Sequence, residues 1–378
     1  MTPAVAKLAN QKTDWIGTAR ELGGLLAENA ARHDEEGSFV ADSYALLKQA
    51  KLFSAAIPRE LGGGGASLAE LCEIVRELGR HCGSTALSFA MHSHPVAVNV
   101  FKFMRGDRQA ETALRKIAAG ELVISGTGAN DWLVSNGKAV PVEGGYRVNA
   151  HKRFCSGGPG ADLFVTSAVC AGSDSPQVLH FAIPMRTNGI EIQHNWATLG
   201  MRGTGSNDIL MRDVFVPELA IVVRRPAGEW HPMWDVIVPV ALPIIVGCYV
   251  GLAEAAVGHA TRSAKDRVSA ARAVGGMHNA LTVAELAFRD MVARVDDYAF
   301  SPGLELTAET LTRKTIAADS VTKAVELAAE YVGGAAFFHG HPVERIVRDV
   351  RAIGFHPLPE RKQTELCGRV RLGLNPVG

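Results

Sequence analysis

Apolar residues recur at helical spacing through the first ~115 residues of the chain. Leu22, Leu25, Leu26 and Ala30 share one face, as do Leu46, Leu47 and Ala50. The run 67–80 places Leu68, Leu71, Ile74, Val75 and Leu78 on one side, and Ser67 followed by Glu70 predicts a capping box at its start. Between these helices, Gly62 to Gly65 are four consecutive glycines after Pro58-Arg59-Glu60-Leu61, which predicts a loop because glycine is costly inside a helix. Near Glu121 the period changes to short apolar runs broken by Gly, Asn, Asp and Pro: LVIS, KAVPV, YRVNA, LFVTSAV, VLHFAIP and DILMRDVFVP. Their lengths predict an antiparallel β unit reaching about Pro217. From about Trp234 to Arg345 the helical period returns, with long helices expected over 253–265, 281–298 and 308–331. The fold class is therefore mainly α with a central β domain, divided as 1–119, 120–228 and 229–378. No alternation of strand and helix is present, which argues against Rossmann and TIM-barrel architectures.

Composition narrows the function classes. The chain has 378 residues, 47% of them hydrophobic, enough for a large core without staples. Lys plus Arg and Asp plus Glu are 39 each, so no net basic field draws it to nucleic acid or an anionic membrane. The six cysteines form no CxxC pair, which predicts free thiols in a reduced compartment, the cytoplasm. The first fifteen residues lack the apolar core of a secretory signal. The stretch 236–253 carries no charge and approaches membrane-spanning length. It contains Pro239 and Pro243, however, and its helical pattern continues through Glu254, His259 and Arg262, so a buried helix is expected and no membrane.

Few residues declare chemistry by themselves. His92 and His94 end a helix as a pair of imidazoles, but no third and fourth ligand can be named, so no metal site is expected. Phe154-Cys155-Ser156-Gly157-Gly158 lacks the GxSxG elbow of a serine hydrolase. Ser125-Gly126-Thr127-Gly128 follows a strand-like run, with glycines that admit close backbone approach to a ligand.

In order along the chain, IPRELGGGG, ELGRHCGSTALSFAMH, LGMRGTGSNDILMRDVFVP, GLAEAAVGHATRSAKDR and YVGGAAFFHGHPVERIVRD resemble segments of the acyl-CoA dehydrogenase superfamily over nearly the whole chain. The resemblance implies a helical N-terminal domain, an antiparallel β-barrel or sandwich, a C-terminal four-helix bundle, a flavin at the domain junction and a homotetramer. It also implies a flavin-pyrimidine loop at Ser125, Thr127, Gly128 and Asn130. Phe154, Cys155 and Ser156 would lie beside the isoalloxazine, with Ser156 bonding N5 or an oxygen adduct at C4a, and Gly333 and Gly334 would form the family's glycine pair.

The same comparison removes the family's usual base. Where most members carry the glutamate that abstracts an α-proton, this chain has His356, and the alternative position on the first bundle helix is about Ala241. Several FAD contacts differ too, including Glu330 in place of a glutamine, so FAD or FMN is expected. His92, Asn130, Ser156 and His356 together resemble the catalytic site of the flavin monooxygenase branch, of the dibenzothiophene-oxidising type. Such enzymes take reduced flavin from a separate reductase and react it with O2, and they need a hydroxyl, a neutral imidazole and a dry pocket rather than a carboxylate. The leading expectation is thus a two-component monooxygenase acting on a small aromatic or sulfur compound. The rival is an acyl-CoA dehydrogenase using His356 or Glu360 as base and passing electrons to a partner protein. An oxidase and a flavin-binding paralogue without turnover remain as further alternatives.

Overall fold

The computed structural model describes residues 13–128, 131–170, 175–265 and 267–377. Among the described residues five helices come first: α1 (Trp15–Glu36), α2 (Ala41–Gln49), α3 (Leu68–His81), α4 (Gly83–Phe103) and α5 (Arg108–Gly120). Eight strands follow: β1 (Ile124–Gly126), β2 (Lys138–Val142), β3 (Gly145–Cys155), β4 (Leu163–Cys170), β5 (Gln177–Pro184), β6 (Ile190–Ile192), β7 (Asn207–Pro217) and β8 (Ile221–Pro226). The chain closes with α6 (Trp234–Ser263), α7 (Ala271–Val295), α8 (Leu304–Val332), α9 (Pro342–Val350) and α10 (Glu360–Arg371). The predicted order of helices, strands and helices is the observed one.

Ser67 starts α3 through the expected capping box: its hydroxyl accepts from Glu70 N–H (3.1 Å) while the Glu70 carboxylate accepts from Ser67 N–H (2.9 Å). The charge-free stretch lies inside α6, whose most apolar window is 89% buried. It is long and apolar enough to cross a membrane, and here it forms the centre of the helical core. Glycine makes this burial possible. A Cβ on Gly251 would stand 2.1 Å from the Arg76 carbonyl oxygen, and one on Gly79 would stand 2.4 Å from the Cys248 carbonyl oxygen. The backbones of α3 and α6 therefore touch, and Arg76 and Arg80 of α3 clasp Glu254 of α6 beside the crossing.

The sheet runs β6-β7-β3-β2-β4-β5-β8, with β1 beside β4. Most pairs are antiparallel as expected, but β1–β4 and β2–β4 are parallel. β6 and β8 are additional to the expected strands, and β8 carries the sheet past Pro217 to Pro226. Its pattern is masked because Arg225, fully buried, occupies an inward position. That guanidinium donates to the Asp131 and Leu133 carbonyl oxygens (2.7 and 2.6 Å) and to His180 Nε2 (3.0 Å). Lys152, also buried, donates to the Asp131 carboxylate (2.7 Å) and to Ser135 (2.8 Å). From the other side, Trp132 stacks on Trp234 of α6. Two inward cations and one tryptophan thus fix the segment 131–136 between sheet and bundle.

Candidate active site

The end of β1 and the end of β3 meet edge to edge. Ser125, fully buried, donates to the Ser156 carbonyl oxygen (2.6 Å) and lies 3.1 Å from Cys155 Sγ. Thr127 bonds Thr166 across the β1–β4 pair (2.7 Å). Gly128 has open space where a Cβ would sit. Asn130 lies outside the described residues. Burial pushes the Cys155 thiol up to about 12, so it is a packing group and no nucleophile at neutral pH.

Next to this junction, Phe154 is half exposed and meets Trp196 edge to face at 5.8 Å. The two rings line a cleft of about 270 Å³ with Arg153, Asn195, Ala197, Thr198 and Asp208. A second cleft of about 350 Å³, sharing Arg153, lies against Asp131, Asn136, His151 and Lys152. Asp208, which lines the first cleft, bonds His151 (2.7 Å) and Arg153 (3.2 Å) of the second.

Ser156 is not isolated. Its hydroxyl lies 2.7 Å from Ser206 Oγ, which lies 2.7 Å from Thr204 Oγ1, which donates to the Met201 carbonyl oxygen (2.9 Å). The same carbonyl accepts from the Trp196 indole N–H (3.0 Å). Met201 itself is held in a left-handed turn at φ 54, with its N–H donating to buried Asp349 (2.5 Å). The Arg-Asp pair on α9 thereby has a mechanical role: Asp349 fixes the turn and Arg348 reaches Asp34 of α1 and Glu344.

The two histidines of α4 separate in role. Ile124 N–H donates to His92 Nδ1 (2.9 Å), so the proton is on Nε2, which donates to the Phe53 carbonyl oxygen (2.8 Å). Both ring nitrogens are spent on backbone, and burial lowers its pKa to about 4. In this structure the ring ties α4 to β1. His94, two residues further, is also lowered by burial to about 4 and is near enough to His356 to disfavour a proton there. His356 Nε2 lies 2.6 Å from the hydroxyl of fully buried Tyr249 on α6. Burial first, then the nearby Lys314 and His94, lowers the His356 pKa to about 3. Lys314, buried on α8, donates to the Leu358 carbonyl oxygen (3.3 Å), two residues past His356, and its pKa falls to about 8. The carboxylates that act on it, Asp319 and Glu360, do so without a direct bond.

The structure therefore gathers Ser125, Phe154, Cys155 and Ser156 in one group and His94, Tyr249, His356 and Lys314 in another. Gly333 and Gly334 stand exposed at the end of α8, and Glu360 is exposed at the start of α10. Ala241 is buried on α6. Trp196, Tyr249, Lys314 and the Thr204–Ser206 pair were not singled out from the sequence. Tyr249 had a signal there, as the one hydroxyl-bearing residue in the charge-free run 236–253, and Lys314 as a lone cation on a buried helix face.

Three models of one family match in sequence: the acyl-CoA dehydrogenase N-terminal domain over 19–121, the middle domain over 126–214 and the C-terminal domain over 244–360. The chain belongs to the acyl-CoA dehydrogenase superfamily. Within it, an acyl-CoA dehydrogenase of Bacillus subtilis is 24% identical, covering 84% of this chain and 86% of that protein. A dibenzothiophene monooxygenase of Rhodococcus erythropolis is 30% identical, covering 64% and 60%. The solved structure of KijD3 with FMN and a dTDP-linked amino keto sugar is 25% identical, with a TM-score of 0.83 over 99% of this chain and 95% of that one. This acyl-CoA dehydrogenase relative is accordingly a flavin-dependent oxidoreductase, and its cofactor is a flavin. The cleft offers an aromatic pair that suits a ring system, and the Ser156 hydroxyl follows Phe154 directly in the chain.

Proposed function

We propose that the protein is the oxygenase of a two-component flavin monooxygenase, taking reduced FMN from a separate reductase and inserting one oxygen atom of O2 into a small aromatic or sulfur-containing substrate. When bound, the reduced flavin supplies the two electrons, and the second oxygen atom leaves as water. The chain's own residues exclude water, hold the flavin edge at Ser156, and manage one proton at His356.

The observation that carries this reading is the Tyr249–His356 pair where the dehydrogenases need a carboxylate. An imidazole whose pKa is lowered to about 3 is a feeble base toward the α-carbon of an acyl thioester. As a neutral ring held by a phenol at 2.6 Å, it is suited to donate or accept one hydrogen bond at a developing oxygen charge. The KijD3 and dibenzothiophene monooxygenase relatives support FMN and oxygen chemistry; the dehydrogenase relative favours the second reading, α,β-desaturation of an acyl-CoA. Gly333 and Gly334, exposed in one chain, are assigned to a flavin contact completed in a homotetramer, and the protein to the cytoplasm.

The test is stopped-flow absorbance of anaerobically reduced FMN, bound to the protein, mixed with O2. Delayed reoxidation through a transient spectrum supports the monooxygenase. Bleaching of bound oxidised flavin by acyl-CoAs under anaerobic conditions, with slow featureless reoxidation, would establish the dehydrogenase instead.

A further inference from the structure

Lys314 brings a charge into the helical core with no anion bonded to it. It is 2% exposed on α8. Among the described residues its ammonium makes one direct hydrogen bond, donated to the Leu358 carbonyl oxygen (3.3 Å). The carboxylates that act on it are Asp319 on its own helix and Glu360 on α10, neither of them bonded to it. An apolar side chain of similar length would fill the same space with no charge to desolvate, so packing alone does not explain a cation here.

Its position does. Leu358 lies two residues past His356, and the next residue of α8, Thr315, donates to the Gln363 side chain (2.9 Å) on α10. Two consecutive residues of α8 thus hold the segment that follows the histidine. The groups that face the ring come from three helices: Tyr249 of α6 at 2.6 Å, His94 of α4 and Lys314 of α8. Tyr249 in turn lies near Cys248 of its own helix and Asp349 of α9. Burial keeps His94 neutral at pH 5 and above, whereas Lys314 carries its proton below about pH 8. We propose that Lys314 is the positioning residue of the histidine site: it anchors the segment 356–358 to α8, and its charge bars a second cation from the adjoining ring, so that His356 works as a neutral hydrogen-bonding group. This rests on the role given to His356 in the reading above and adds to it the residue that enforces that role. Without the ammonium the ring keeps its burial but loses a repelling charge, and its affinity for a proton rises.

The experiment reads ring protonation in ¹⁵N-histidine spectra of the flavin-free protein from pH 5 to 8, with His356→Gln for assignment. Lys314→Met removes both the charge and the hydrogen bond. Lys314→Gln keeps an N–H for the Leu358 carbonyl and removes only the charge. Each is expected to raise the protonated fraction of His356 at pH 5 about tenfold, the change that a shift of one pH unit gives. Amide exchange over 353–360, followed by mass spectrometry, should quicken about fivefold in Lys314→Met and stay at the wild-type rate in Lys314→Gln. An unchanged ring in both variants overturns the proposal. So does a ring that gains its proton in Lys314→Met alone, which would make the lysine a structural strut. If Lys314→Met does not fold, the ring in Lys314→Gln decides by itself. No flavin is present in this measurement, so a transient-free oxygen reaction in the stopped-flow test overturns the monooxygenase reading and leaves the Lys314–His356 coupling standing.

Discussion

Asp349 offers the sharpest test of how the fold holds its site. It sits on α9, 3% exposed, and accepts the N–H of Met201, the residue whose carbonyl orients both Trp196 and the hydroxyl chain. Burial raises its pKa from 3.8 to about 6; the Met201 N–H opposes the rise, Asp34 adds to it, and Arg345 and Arg348 reduce it. The folded state therefore binds this proton more tightly than the unfolded state does. Its contribution to stability is fully present below about pH 4 and is lost as pH rises through about 6. At about 1.4 kcal/mol per tenfold in the proton equilibrium, the loss comes to about 3 kcal/mol. Asp349→Asn keeps an oxygen for the Met201 N–H but cannot titrate. Urea unfolding of both proteins, followed by tryptophan fluorescence from pH 4 to 7.5, gives a difference curve that isolates this one group. Wild-type stability relative to the variant should fall by about 2.4 kcal/mol from pH 4 to 7, the rest of the change lying below pH 4. A flat difference would mean that burial does not penalise the ion. A rise with pH would mean that Arg345 and Arg348 outweigh desolvation, and either result refutes the reasoning.

His92→Leu leaves the Ile124 N–H and Phe53 carbonyl buried without partners and should cost about 2–4 kcal/mol in unfolding free energy. Its unfolding midpoint should drop even without flavin, which a catalytic histidine would not require. Tyr249→Phe removes the hydroxyl 2.6 Å from His356 Nε2, which in the tautomer with the proton on Nδ1 is a donor that favours the neutral ring. In ¹⁵N-histidine spectra, assigned with His356→Gln, the His356 titration should move upward from about 3 while the melting temperature changes little. Gly251→Ala places a methyl 2.1 Å from the Arg76 carbonyl oxygen, so α3 and α6 must separate, at about 1–3 kcal/mol. A melting temperature equal to wild type would show that the crossing is looser than described.

Most of the fold was legible because burial leaves a period. α3 shows its inward face and its capping box, and α6 shows an uncharged run whose prolines and polar continuation distinguish a core helix from a membrane span. β8 was illegible for the complementary reason. Its inward residue is Arg225, and a guanidinium reads as solvent-facing until its partners, two carbonyl oxygens and His180, are placed around it. The parallel pairs of β1 and β2 with β4 depend on long-range register, for which alternation along a single strand carries no information.

The site was legible in kind but not in role. A sequence gives the hydroxyls and imidazoles, while role depends on which lone pair or proton is left over once every neighbour has taken its share. His92 and His94 are two residues apart and chemically identical, yet backbone groups of β1 and of Phe53 consume both nitrogens of the first. Ser156 is recognisable beside its glycines, but whether it donates or accepts is decided three hydrogen bonds away, at a carbonyl turned inward by a left-handed methionine that a buried aspartate holds. That aspartate lies about 150 residues further along the chain, in a motif whose sequence reading pointed to the catalytic histidine after it. The Arg-Asp pair and the serine therefore act on one turn from opposite sides.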